Sequence, residues 1–123
     1  MEIQKIGQIG VPVKDLERAI QFYKNKLGLP HLFTAGNLAF FESNGTRLLL
    51  SLPESEEFAN ASSILYFQVE DIHASYEELL SKEVNFIDEP HLIAKIGQTE
   101  TWMAFFNDGE GNTHALMSDI QEK

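Results

Sequence analysis

The sequence predicts an α+β fold made of two similar halves, each a strand, a helix and then further strands. Three observations carry that prediction. A weak internal repeat sets residues 9–16, IGVPVKDL, beside residues 65–72, LYFQVEDI, so that Val13-Lys14-Asp15-Leu16 returns as Val69-Glu70-Asp71-Ile72. A second echo sets residues 37–50, NLAFFESNGTRLLL, beside residues 103–116, MAFFNDGEGNTHAL, each reading as strand, polar turn, strand. Finally, 123 residues suffice for one compact domain and are too few for two ordinary ones.

The elements follow in order. The apolar run ending at Val13 leads into Asp15, which is placed as an N-cap. Leu16, Ala19, Ile20, Tyr23 and Leu27 then recur at helical spacing, and Gly28 is a natural stop. A strand is expected near 31–34, then the hairpin turning at Gly45. Pro53–Ser62, PESEEFANAS, is acidic and rich in small residues, and reads as a linker too short to separate domains. In the second half Asp71 is the matching N-cap, with Ile72, Ser75, Tyr76, Leu79 and Leu80 as the stripe and a strand near 84–88. The halves are 56 residues apart at Asp15 and Asp71 but 66 apart at Gly45 and Gly111. About ten extra residues therefore fall around Glu89–Thr101, EPHLIAKIGQTET, and read as an inserted loop. This makes residues 1–123 one domain, with module one at about 1–52, a linker at 53–62 and module two at about 63–121.

Composition narrows the function classes. Apolar residues at 43% and charged residues at 23% are ordinary globular values and argue against general disorder. No apolar run approaches the ~20 residues of a membrane helix, and MEIQKIGQIG lacks the charged and apolar regions of a signal peptide. The absence of cysteine excludes disulfides, thiolate metal sites and cysteine nucleophiles, and fits a cytoplasmic setting. A net charge of −10 disfavours nucleic acid and anionic membranes, both of which need a positive footprint. No Ser-His-Asp pattern, phosphate-cradling glycine loop or dinucleotide fingerprint is present, so hydrolase and nucleotide-enzyme readings lack support.

Taken together, IGQIGVPVKDLERAIQFYKNKLGLP, LAFFESNGTRLLLS, LYFQVEDI and FFNDGEGNTHALMS resemble the vicinal-oxygen-chelate superfamily. That superfamily includes glyoxalase I, bleomycin-resistance proteins, extradiol dioxygenases and methylmalonyl-CoA epimerase. FYKNKLGL and DGEGN are the most specific pieces, the second departing from the usual D-P-D-G-N. The resemblance covers essentially the whole chain. It implies two βαβββ modules whose strands wrap into an open cup with helices outside, and a homodimer. It does not settle function, since members isomerise, oxygenate, epimerise, transfer thiols or merely bind.

The resemblance also implies four metal-ligand positions, on the first and last strands of each module. They fall on Gln8, Leu49, Ile64 and Ala115. Only Gln8 offers a donor, and one amide oxygen cannot offset the desolvation of Mg²⁺, Mn²⁺ or Zn²⁺. No metal cofactor is therefore expected. A one-residue slip on the strands would bring in Ser63 and His114 instead, leaving a shifted divalent site as the minority reading.

Strand alternation then says what the cup contains. With Gln8 inward, so are Ile6, Gly10, Ile64, Tyr66 and Gln68, and across the hairpins Leu38, Phe40, Arg47, Leu49, Trp102, Ala104, Phe106, Thr113, Ala115 and Met117. Ile9, Val11, Leu48, Leu50, Leu65, Phe67, Met103, Phe105 and Leu116 are expected against the helices. The leading function is binding of a small, largely apolar or aromatic molecule, with Gln8, Phe40, Arg47, Tyr66, His91, Trp102, Phe106 and Met117 as the contacting residues. His91, in the inserted loop, is the candidate general base, with Glu100 a second. His114 is expected in the core on the helix side, and His31 and His73 at the surface. Whether the chain is an enzyme stays open. The alternatives are a metal-dependent lyase or isomerase of the glyoxalase type, and a non-catalytic subunit whose apolar surface a partner covers.

Overall fold

The computed structural model describes residues 1–2, 4–53 and 63–121. The expected linker, apart from Pro53, lies outside them. The chain divides into two compact units, Met1–Ala61 and Ser62–Lys123, both α+β.

In the first unit, β1 (Gln8–Pro12) is followed by α1 (Leu16–Gln21), β2 (His31–Ala35), β3 (Leu38–Ser43) and β4 (Thr46–Ser51). Asp15 caps α1 by accepting from the Arg18 amide at 3.1 Å. The helix then widens into a π-type turn over Phe22–Lys26, with the Leu27 amide donating to the Phe22 carbonyl five residues back. That widening places adjacent aromatics, Phe22 and Tyr23, both in the core, where an α-helical stripe selects only Tyr23. Tyr23 reaches the Phe41 ring at 6.1 Å. The sheet order is β1-β4-β3-β2, with β1 parallel to β4 and the other pairs antiparallel. Asn44 (φ 45°) and Gly45 (φ 92°) both take left-handed backbone, as a two-residue hairpin turn demands. Val11, Ala39, Phe41, Leu48 and Leu50 are buried on the face α1 covers.

In the second unit, β5 (Tyr66–Gln68) precedes α2 (Ile72–Ser81), β6 (Asn85–Phe86), β7 (His91–Ile96), β8 (Thr99–Asn107) and β9 (Thr113–Gln121). Asp71 caps α2 through the Ala74 amide at 3.1 Å. Strand β5 runs parallel to β9, which pairs with β8; β6 and β7 both pair with β8. Ile72 and Leu79 of α2 join Ala104, Phe106 and Leu116 in the core, but Leu80 of the expected stripe is exposed.

Two expectations are corrected here. The inserted stretch Glu89–Thr101 is not a loop: it forms β7, a tight turn at Gly97 (φ 61°) and the start of β8. The second correction concerns the faces of β8. Phe106 stands opposite His114, Ala104 opposite Leu116 and Trp102 opposite Ser118, so all three lie on the helix-covered face; Phe105 and Met103 stand opposite Ala115 and Met117 on the uncovered one. The cause is one extra residue. The β3–β4 turn has two residues between Ser43 and Thr46, whereas Asp108 and Asn112 bracket three, with the Asp108 amide donating to the Asn112 carbonyl. A one-residue change on a strand exchanges its faces. The Asp108 carboxylate fixes that longer loop, accepting from the Glu110 amide (2.7 Å), the Asn112 amide (3.0 Å) and Asn112 Nδ2 (2.8 Å). Among the described residues, no helix is long and apolar enough to cross a membrane.

Candidate functional site

Each sheet buries one face under its own helix, and the other face carries the candidate residues. On the first sheet Gln8 and Arg47 are direct neighbours across the parallel β1–β4 pair, and Gly10 stands beside Leu49. Arg47 Nε donates to Gln8 Oε1 at 3.0 Å. Its guanidinium carbon sits 5.6 Å from the Phe40 ring centroid, within cation–π range. Phe33 of β2 stacks on Phe40 at 4.4 Å with 21° between the planes. A cation braced by an amide and backed by two stacked rings is thus built from all four strands of the sheet. Among the described residues, the Arg47 terminal amino groups have no hydrogen-bond partner. Phe33 was not foreseen; its partner Phe40 was, and the β2–β3 register supplies the link.

On the second sheet the uncovered face is a set of cross-strand rows. One runs Tyr66–Ala115–Phe105 and the next Gln68–Met117–Met103–His91. Tyr66 meets the Phe105 ring edge-on at 6.2 Å. Thr101 Oγ1 donates to Asp119 Oδ1 at 2.7 Å in the following row. His91 Nδ1 is 2.9 Å from the Glu89 carbonyl oxygen and 3.6 Å from Asp88 Oδ2. The other Asp88 oxygen accepts from the Phe105 amide at 2.8 Å, standing in for a strand bond where β6 gives way to β7.

The remaining sequence candidates stand elsewhere. Trp102 lies on the covered face with its indole N–H donated to Glu100 Oε1 at 3.1 Å and its ring against His73 at 5.3 Å. Glu100 is therefore an indole acceptor on that face and not a lone solvated carboxylate. Phe106 is fully buried between Phe86, His114 and Phe67. His114 is a core residue, with Nδ1 accepting from the Leu65 amide at 3.4 Å. Burial lowers its pKa below the ordinary histidine value, against the opposing pull of the Asp108 carboxylate. His31 is half-buried, stacked on Phe41 at 4.9 Å and bonded to Thr34, not at the open surface.

The four family metal positions hold one amide and three hydrocarbons. Gln8 Oε1 already accepts from a guanidinium, Leu49 is half-buried beside Gly10, Ile64 is exposed and Ala115 is fully buried. A one-residue slip does not restore a donor on β9, since His114 is on the helix-covered face. This donor set does not fit a hard or borderline divalent ion. Among the described residues no cluster of three His, Asp or Glu could hold one either.

A family model described as the Glyoxalase/Bleomycin resistance protein/Dioxygenase superfamily matches residues 5–116. YetH of Bacillus subtilis (strain 168) is 31% identical over 126 residues, covering 93% of this chain and 98% of YetH. FosB of Lysinibacillus sphaericus (strain C3-41), a metallothiol transferase, is 29% identical over 93 residues, covering 72% of this chain and 66% of FosB. A superfamily member from Sphaerobacter thermophilus DSM 20745 superposes with a TM-score of 0.79 at 23% identity, over 96% of this chain and 99% of that one. At that identity the likeness concerns fold alone.

Proposed function

The chain belongs to the Glyoxalase/Bleomycin resistance protein/Dioxygenase superfamily, and from that premise we propose that it binds a small, flat, largely apolar molecule bearing an acidic group, without a metal at the superfamily's usual positions. One observation carries this reading: Arg47 is held by Gln8 and by the Phe40 face while, among the described residues, its terminal amino groups have no hydrogen-bond partner. A guanidinium braced in this way is pre-organised for a carboxylate or similar anion. Phe33 and Phe40 supply the platform for a planar apolar body.

The test is amide chemical-shift mapping on the ¹⁵N-labelled full chain with a panel of aromatic carboxylates and their matching alcohols. The acids should shift the amides of Gln8, Phe40 and Arg47 and bind more tightly than the alcohols. Arg47→Met should weaken the acids about tenfold, or ~1.4 kcal/mol, and leave the alcohols almost unchanged. Equal binding of acid and alcohol, or shifts confined to other strands, would overturn the reading.

A metal-dependent transferase or lyase is the second reading. It is favoured by the name of the FosB relative and by Gln8, an oxygen donor at a family position. One equivalent of divalent metal in protein purified without chelator, lost in Gln8→Ala, would move that reading to the front. A homodimer and a cytoplasmic location complete the proposal; analytical ultracentrifugation and fractionation check them.

A further inference from the structure

The chain has three methionines, and the two beyond Met1 stand directly opposite one another as Met103 and Met117 on the uncovered face of the second sheet. His91 stands opposite Met103 on its other side. A thioether, a second thioether and an imidazole therefore occupy consecutive positions of one cross-strand row. Directly opposed residues have Cβ atoms about 4.5–5.5 Å apart, and all three side chains are only half-buried.

The histidine is prepared in a particular way. A backbone carbonyl only accepts hydrogen bonds, so the contact to Glu89 assigns the proton of the neutral ring to Nδ1. Asp88 lies beside the same nitrogen and is itself anchored by the Phe105 amide. Nε2 is left as a lone-pair donor with no hydrogen-bond partner among the described residues. Metal-binding histidines are oriented by just such a bond from the opposite ring nitrogen to a carbonyl or carboxylate.

We propose that His91 Nε2 and the Met103 and Met117 sulfurs form a binding site for a soft monovalent cation, Cu(I). Thioethers are soft donors that select Cu(I) over Zn²⁺, Mn²⁺ or Mg²⁺. The net charge of −10 draws cations toward the surface. All three donors belong to the second unit, whereas Arg47 belongs to the first.

The experiment is an anaerobic titration of the full chain with Cu(I) in competition with the chromophoric chelator bicinchoninate. Ag(I), redox-inert, is added in parallel to protein labelled at the methionine methyl groups. One equivalent should be taken from the chelator, and Ag(I) should shift the Met103 and Met117 methyl signals together while Met1 stays put. Met103→Leu, Met117→Leu and His91→Gln should each weaken Cu(I) at least tenfold. Asp88→Asn should weaken it about tenfold, the usual effect of removing a residue that orients a ligand. Arg47→Gln, a first-unit change that adds no thioether, should leave Cu(I) binding unchanged, which separates failure of this site from failure of the ligand platform. The Met→Leu changes conserve volume, so folding is expected to survive, and the methyl shifts need no variant at all. No competition with the chelator, unmoved Met103 and Met117 signals, equal affinity for Zn²⁺, or full binding by the Met103→Leu/Met117→Leu double variant would each overturn the proposal.

Discussion

The exchange of faces on β8 makes neighbouring phenylalanines energetically unlike, and replacing each by alanine measures the difference. Phe106 is fully buried, with ring centroids of Phe86 at 5.5 Å, His114 at 6.0 Å and Phe67 at 6.4 Å. Emptying such a site removes the transfer energy of the ring and leaves a cavity that rigid neighbours cannot close, a loss of about 3–5 kcal/mol. Phe105 is half-buried on the uncovered face, and its ring contact is the edge of Tyr66 at 6.2 Å. Its truncation exposes little that water did not already reach, and should cost about 1 kcal/mol. Urea unfolding followed by circular dichroism is the assay. With a slope near ~2 kcal/mol per molar, Phe106→Ala should lower the midpoint by about 2 M and Phe105→Ala by about 0.5 M. A larger loss from Phe105→Ala than from Phe106→Ala would refute the register and restore the faces that the two-residue turn of the first half suggests.

Asp108→Ala leaves two backbone amides and one side-chain amide of the β8–β9 loop without their acceptor, and thermal melting should register a loss of about 2–4 kcal/mol; Asp108→Asn, which keeps one oxygen acceptor, should lose less than half of that. His114 has its folded pKa lowered by burial, so as pH falls through about 6.5 the unfolded chain takes up a proton that the folded chain refuses. Its contribution to stability is therefore flat at higher pH and declines below that value, by up to ~1.4 kcal/mol per pH unit; chemical denaturation between pH 7.5 and 5.5 should show a slope that His114→Gln flattens. Asp71→Ala removes the acceptor for the Ala74 amide and should cost about 1 kcal/mol by the same denaturation assay, with Asp71→Asn close to neutral.

The parts of this architecture legible in the sequence are those set by local chemistry. Asp15 and Asp71 mark helix starts because a carboxylate there finds a free amide within three residues, and the structure gives both bonds. Asn44-Gly45 marks a hairpin because only such residues take left-handed backbone cheaply. The uncovered face of the first sheet followed from period-two alternation through that turn, which is why Gln8, Phe40, Arg47 and Leu49 stand together. The same alternation does not extend through the β8–β9 turn, because that turn is one residue longer than its counterpart in the first half. Counting from Asp108 to Asn112 was the available signal: a capping Asp with Gly109 and Gly111 inside it brackets three residues, not two. Strand β7 was missed for a different reason. LIAKI sets a leucine and two isoleucines beside an alanine and a lysine, but an edge strand lacks a buried face to impose a pattern, and here Leu92, Ile93 and Ile96 are all exposed. The Asp88–His91 pairing depends on where β6 breaks, which no periodicity encodes.

Gln8 shows how one neighbour changes what a position can hold. An amide oxygen on the first strand is a serviceable cation ligand, and nothing in the residue itself forbids that role. Arg47, directly across the β1–β4 pair, occupies the oxygen with Nε and places a fixed positive charge beside it. Two unit charges 4 Å apart near a protein surface repel by about 4 kcal/mol, and a divalent ion roughly doubles that. A metal at Gln8 would have to displace the guanidinium from its bond and from the Phe40 face, with hydrocarbon at the neighbouring Leu49 in place of a second donor. The same pair favours an anion, since the amide fixes one edge of the guanidinium and leaves its other donors to face solvent. The proposed preference for acidic over neutral aromatic compounds therefore rests on Arg47, acting against the opposite charge of Glu42 directly across the β3–β4 pair.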